Sequence, residues 1–155
     1  MSNGIRPLST ALTNFFQDSL GFKVQSTQQT IPNNVFFGVG LWNPTGPGGW
    51  SSGQLNLDDG IFIVPVTGYY HTSATVVFAE NSTGTRGAQI NVGPLATFEV
   101  TIPASSGGTT SVPIPGGILF LQAGQQVALQ AFQDSGGGFD IEGNTAWSMF
   151  LHQRS

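Results

Sequence analysis

The ten residues from Tyr69 to Phe78 constrain this chain more than any other stretch, because polar and apolar side chains alternate there with a period of two. Tyr70, Thr72, Ala74, Val76 and Phe78 fall on one face; Tyr69, His71, Ser73, Thr75 and Val77 fall on the other. A helix would scatter both sets around its axis. The segment therefore reads as a strand, with its first face assigned to the core. Just upstream, Ile61, Ile63 and Val64 form a second half-buried strand, Pro65 removes a backbone donor where pairing must pause, and Thr67-Gly68 turns the chain.

The same grammar extends in both directions. Phe22 to Ser26 reads as a strand, residues 28 to 34 as a turn-rich connection, and Val35 to Leu41 as another strand. Trp42 to Gly53, rich in Gly and Pro, reads as a long loop that displays Trp42 and Trp50. Asp58-Asp59-Gly60 is a turn. Downstream, strands are expected at Arg86 to Val92, Leu95 to Ile102, Val112 to Pro115 on an edge, Gly117 to Leu121, Gln125 to Phe132, Phe139 to Ile141 and Ala146 to His152. Residues 122 to 124 read as a hairpin-like joint. Eight to ten short strands with frequent turns and no mid-chain helix predict an all-β sandwich spanning 22 to 155. Residues 1 to 21 form an arm or short helix, capped by Ser9, in which Leu12, Phe15 and Phe16 need an apolar cover and mark a candidate attachment segment.

Charge narrows the partners. Only 8% of the residues are charged, against roughly 25% in ordinary soluble domains, and the net charge is −4. With Arg6, Lys23, Arg86 and Arg154 as the whole basic complement, nucleic acid is not an expected partner. No stretch approaches the roughly 20 apolar residues of a membrane span, and the start lacks the charged-then-apolar plan of a signal peptide, so any export is expected to use another route or to follow cell lysis. The absence of cysteine excludes disulfides and thiolate metal sites.

The run from Gly60 to Tyr70, GIFIVPVTGYY, resembles the signature of the globular head of complement component one-q and its tumour-necrosis-factor-like relatives. Val76-Val77-Phe78 followed by Gly84-Thr85-Arg86, the run Ile118 to Gln130, and the closing Trp147 to Leu151 resemble later pieces of that family in the same order, closest in style to its bacterial and phage members. Gln125 replaces a frequent aspartate, the last strand lacks the family's glycine, and no collagen-like repeat is present. The resemblance implies a ten-stranded jelly roll that assembles as a homotrimer through apolar side chains near its axis.

Alternation alone nominates Tyr69, Val77, Ala128 and Phe132 as outward-facing residues for that interface. For chemistry the signals are sparse. His71 and His152 are the only histidines and lack metal-ligand spacing, no nucleophile elbow is present, and nothing selects a carboxylate pair. No cofactor and no catalytic residue are expected. Calcium candidates are Asp58-Asp59-Gly60, and Asp134, Asp140 and Glu142 around a glycine tip, with local turn bonding as the competing and favoured reading of both groups. The expected function is a non-enzymatic, trimeric module on a bacteriophage virion exterior, as capsid decoration, head fibre or receptor-binding knob, docked through its arm to a capsid or tail protein. The alternative is a secreted or cell-surface bacterial recognition protein whose Trp42 to Trp50 loop stacks on host glycans or meets a protein.

Overall fold

The computed structural model describes residues 20–46 and 48–155; the expected attachment arm with Leu12, Phe15 and Phe16 lies outside the described residues. Thirteen strands follow in order: β1 (Gly21–Ser26), β2 (Gln29–Ile31), β3 (Phe37–Gly38), β4 (Trp42–Asn43), β5 (Trp50–Ser51), β6 (Ile61–Ile63) and β7 (Gly68–Phe78). Then come β8 (Thr85–Val92), β9 (Leu95–Pro103), β10 (Thr110–Leu121), β11 (Gln126–Gln133), β12 (Phe139–Ile141) and β13 (Ala146–Arg154). They form two antiparallel sheets packed face to face, a jelly-roll sandwich with no helix among the described residues.

The first sheet is organised on β7, which pairs with β13 on one side and β10 on the other, while β13 continues to β1 and the short β4 and β5. The second sheet runs β3, β11, β8, β9, with β6 also on β11. The expected core face of β7 is the observed one, since Tyr70, Thr72, Ala74, Val76 and Phe78 are all buried. Between the sheets Phe22 meets Trp147 edge-on at 4.6 Å and Phe62 at 5.3 Å, and Phe62 in turn meets Tyr70. The one indole N–H in this cluster that faces β7 is satisfied, because Trp147 Nε1 donates to Thr72 Oγ1 at 3.1 Å.

Three sequence-based expectations change. Residues 122 to 124 do not close a hairpin: β10 belongs to the first sheet and β11 to the second, so this joint crosses between layers, as Pro65 to Thr67 does between β6 and β7. Strand pattern reports a turn but not which sheet receives the next strand. The two segments around Pro113 and Pro115 are one long edge strand, β10, in which Pro113 keeps register with Thr75 and a bulge between Ile114 and Gly117 takes up Pro115. Within 28 to 34, β2 pairs with β12, whereas the Val35 to Leu41 strand shrinks to Phe37–Gly38.

Candidate assembly face

The outer surface of the first sheet is built by the side chains that alternate away from the core on β10, β7, β13 and β1. Register places Phe120 opposite Tyr69, and His71 between Ile118 on β10 and Phe150 on β13. Tyr69 and Phe120 are ring to ring at 5.2 Å, while His71 stacks on Phe150 at 5.0 Å with 27° between planes. Farther along, Ser73 and Ser148 share a hydrogen bond of 3.0 Å, beside Lys23. A shallow depression of about 250 Å³ opens there between Lys23, Ser73, Thr75, Pro113 and Ser148. The face thus grades from aromatic to polar.

Its aromatic end is open. Tyr69 is 43% exposed, Ile118 56%, Phe120 50% and Phe150 40%. Scattered apolar side chains are ordinary on a surface; these four are contiguous through ring contacts and strand register and form one exposed apolar patch. The local cause is the run Ile118-Leu119-Phe120-Leu121, which is apolar on both faces: Leu119 and Leu121 fill the core, so Ile118 and Phe120 must face out.

The bulge on β10 fits this face to its neighbours. A side chain at Gly117 would strike the Phe98 ring, and one at Gly116 would come within 2.9 Å of His71 Nε2. Two glycines therefore let β10 close over both rings. His71 Nδ1 is buried and has no hydrogen-bond partner. Charge is one-sided as well: β1, β7, β10 and β13 contain no Asp or Glu, and their ionisable cations are Lys23, Arg154, His71 and His152.

The four residues nominated from alternation do not form one patch. Tyr69 lies on the face just described. Val77 is only 5% exposed: the turn after β12 closes over it, with Thr145 Oγ1 accepting from Val77 N at 2.9 Å and Glu142 N donating to Val77 O at 2.7 Å. Ala128 and Phe132 are on β11 and look out from the opposite sheet, where Phe132 packs on Phe36 at 5.1 Å beside a ladder of Gln89, Asn91 and Gln130 amides. Alternation separates inside from outside within a strand; it carries no information about which sheet the strand joins. Ile118, Phe120, Phe150 and His71 were missed for that reason, although a four-residue run apolar on both faces was a legible signal for the first two.

The loop reading also changes. Trp42 is 4% exposed, sits 6.0 Å from Trp147, and donates its Nε1 to Val39 O at 3.0 Å, so it is a core residue and cannot stack on a ligand. Trp50 is 36% exposed and lies on β5 against Lys23 of β1. The 42 to 53 segment is pinned at both ends to β1 rather than free.

The calcium candidates Asp134, Asp140 and Glu142 do not converge. Among the described residues no three His, Asp or Glu side chains come together as metal ligands. Asp134 accepts the backbone N–H of Thr85, and Asp140 accepts from Gln28 Nε2 at 2.9 Å and Thr30 Oγ1 at 2.5 Å. In the Asp58-Asp59-Gly60 turn, Asp59 Oδ1 accepts Ile61 N at 3.0 Å. Asp59 and Asp140 have both oxygens occupied by protein donors, and Asp134 has one.

No family model matches the sequence, and no curated protein matches it. The fold does match solved structures. The Eiger TNF from S. frugiperda superposes with a TM-score of 0.65 over 88% of this chain and 94% of that one, at 12% sequence identity. At that identity the likeness concerns architecture: this is a TNF-like jelly roll.

Proposed function

We propose that this chain is a non-enzymatic structural and binding module, a homotrimeric TNF-like jelly roll carried on the exterior of a bacteriophage virion as capsid decoration, head fibre or receptor-binding knob. The observation that carries the assembly is the open apolar band of Tyr69, Ile118, Phe120 and Phe150. Covering each of these half-exposed side chains is worth roughly 1 kcal/mol, and a closed three-fold ring does so on every protomer at once. On the opposite outer face the Gln89 and Asn91 amides are already bonded to Gln130 Oε1 within the protomer. A surface poor in charge and a chain free of cysteine suit a durable exterior component.

Native mass spectrometry of the full chain tests the assembly. The expected species is three times 16.3 kDa, and Phe120→Asp should give a folded monomer, since Phe120 contributes little to the sandwich itself. A wild-type protein that remains a monomer at micromolar concentration overturns the reading. For the setting, antibody labelling of intact particles should decorate their outside; label confined to the soluble fraction of a lysate refutes it.

A further inference from the structure

At one edge of the sandwich β2 and β3, the terminal strands of the two sheets, are clipped together by Gln29, whose Nε2 donates to Gly38 O at 3.1 Å and whose Oε1 accepts from Gly40 N at 3.0 Å. A cleft of about 410 Å³ opens between that clip, Phe37, Leu41 and the Asp58-Asp59 turn. Its apolar wall is in contact with water, Phe37 being 42% exposed and Leu41 46%. It shares no residue with the apolar band of the first sheet.

Leu41 takes φ +54°, a left-handed backbone that a residue with a Cβ adopts at a cost. The conformation itself is required, because Leu41 N donates to Asp58 O at 3.2 Å and Leu41 O accepts from Thr27 N at 2.9 Å. The leucine is not. Glycine or asparagine takes that backbone more readily, and here a branched apolar side chain is held half in water. Strain and exposure meet in one side chain that does little for the core, as expected of a surface that serves a partner.

The polar groups of the cleft decide what that partner presents. The N–H groups of Gly40, Leu41 and Asp58 are spent within the protomer, on Gln29 Oε1, Asp58 O and Asn56 Oδ1. Both Asp59 oxygens are engaged as well, by Asn56 Nδ2 and Ile61 N. The Asp58 carboxylate is exposed at the rim. These donors are turned inward while one anion faces the opening, on a chain of net charge −4 that draws cations toward it.

We infer that this cleft binds a lysine side chain of a partner polypeptide. The aliphatic stem lies on Phe37 and Leu41 and the ammonium meets the Asp58 carboxylate, so that apolar surface is covered while the charge stays at the water's edge. A single exposed carboxylate matches the compact ammonium. A polypeptide suits the place because β2 and β3 are edge strands, which an extended backbone can follow. The site is complete in one protomer and stands or falls separately from the trimer.

The test is an NMR titration of the full chain with N-acetyl-lysine methylamide. Saturable shifts should cluster at the amides of Gly38, Leu41 and Asp58, half-complete at roughly millimolar probe, as one ion pair on a small apolar surface gives. The norleucine analogue, with the same stem and no charge, should bind at least about tenfold more weakly, and Asp58→Asn should weaken the lysine probe to a similar degree. Leu41→Asn should also lose binding while keeping its Tm within about 5 °C of wild type, since asparagine accepts the left-handed backbone. Equal binding of the norleucine probe, an unchanged affinity in Asp58→Asn or Leu41→Asn, or shifts scattered over the surface without saturation would each overturn the inference. So would a larger fall in Tm for Leu41→Asn, which would make that leucine a folding residue. Binding to phosphatidylethanolamine vesicles without any response to the lysine probe would assign the cleft to a lipid headgroup and likewise refute it.

Discussion

The guanidinium of Arg86 lies over the ring of Phe139, 4.9 Å from its centroid, and 5.7 Å from the centroid of Phe78. Arg86 is fully buried. Its Nη1 donates to Thr83 O and Thr85 O at 3.0 Å each, and its Nη2 to Asn81 O at 3.1 Å, so one side chain staples the loop between β7 and β8 to the end of the sandwich. Burial pulls its pKa below the ordinary arginine value, opposed by the nearby Asp134 carboxylate.

Arg86→Met should keep the packing but forfeit the staple, because three carbonyls lose a charged donor. A loss of about 3 kcal/mol is expected in urea unfolding, with Arg86→Lys recovering only part of it, since one ammonium cannot reach the three acceptors that the guanidinium fork spans. A change below 0.5 kcal/mol for Arg86→Met, roughly that of an exposed site, would show that the staple is decorative.

The two tryptophans of the 42 to 53 segment should behave oppositely. Trp42→Ala empties a core site and is expected to cost about 3 to 5 kcal/mol. Trp50→Ala should cost under about 1 kcal/mol, its ring being over a third exposed on a short strand. Thermal unfolding of both variants, read by circular dichroism, separates the cases; equal losses would contradict the burial of one and the exposure of the other.

Gly60 ends the Asp58-Asp59 turn at φ +72°, with Val39 O and the Trp42 indole crowding the position a Cβ would take. Gly60→Ala must therefore strain the backbone and push on the carbonyl that Trp42 bonds. The expected loss is about 2 to 3 kcal/mol, a fall in Tm of roughly 5 to 10 °C for a domain of this size. Gly124→Ala, also at positive φ but with open space around it, should lose less.

Tyr70 gives the chain an alkaline limit. Burial raises its pKa above the ordinary 10.0, against a smaller opposing pull from Arg154. Its hydroxyl donates to Val66 O at 2.8 Å, a bond only the protonated phenol can make. Because the folded protein holds this proton more tightly than the unfolded chain, the contribution is complete below pH 10 and shrinks as pH rises above it. Unfolding free energy should decline above pH 10 more steeply in wild type than in Tyr70→Phe, which itself costs about 1 kcal/mol at neutral pH. Parallel declines would count against Tyr70 as the source.

Much of the sandwich was legible because a strand's inside and outside are written into consecutive residues. Period-two alternation assigns Tyr70, Thr72, Ala74, Val76 and Phe78 to the core, and the structure buries all five there. The Asp58-Asp59-Gly60 turn was equally local, needing only an aspartate to accept a backbone N–H and a glycine able to take positive φ. These are short-range properties of the chain.

What the sequence alone determined, then, is which residues are strands, where they turn, and which side of each strand is greasy. Which strands become neighbours was decided in three dimensions, by how two sheets stack and where each crossover lands. Ala128 and Tyr69 look alike as outward positions in the sequence and end on opposite surfaces, while Ile118, Phe120, His71 and Phe150, spread over 80 residues from 71 to 150, meet on one. Alternation fixes a side chain's direction relative to its own backbone, but adjacency between distant strands depends on the packing of the whole core, and an assembly face is made of adjacency.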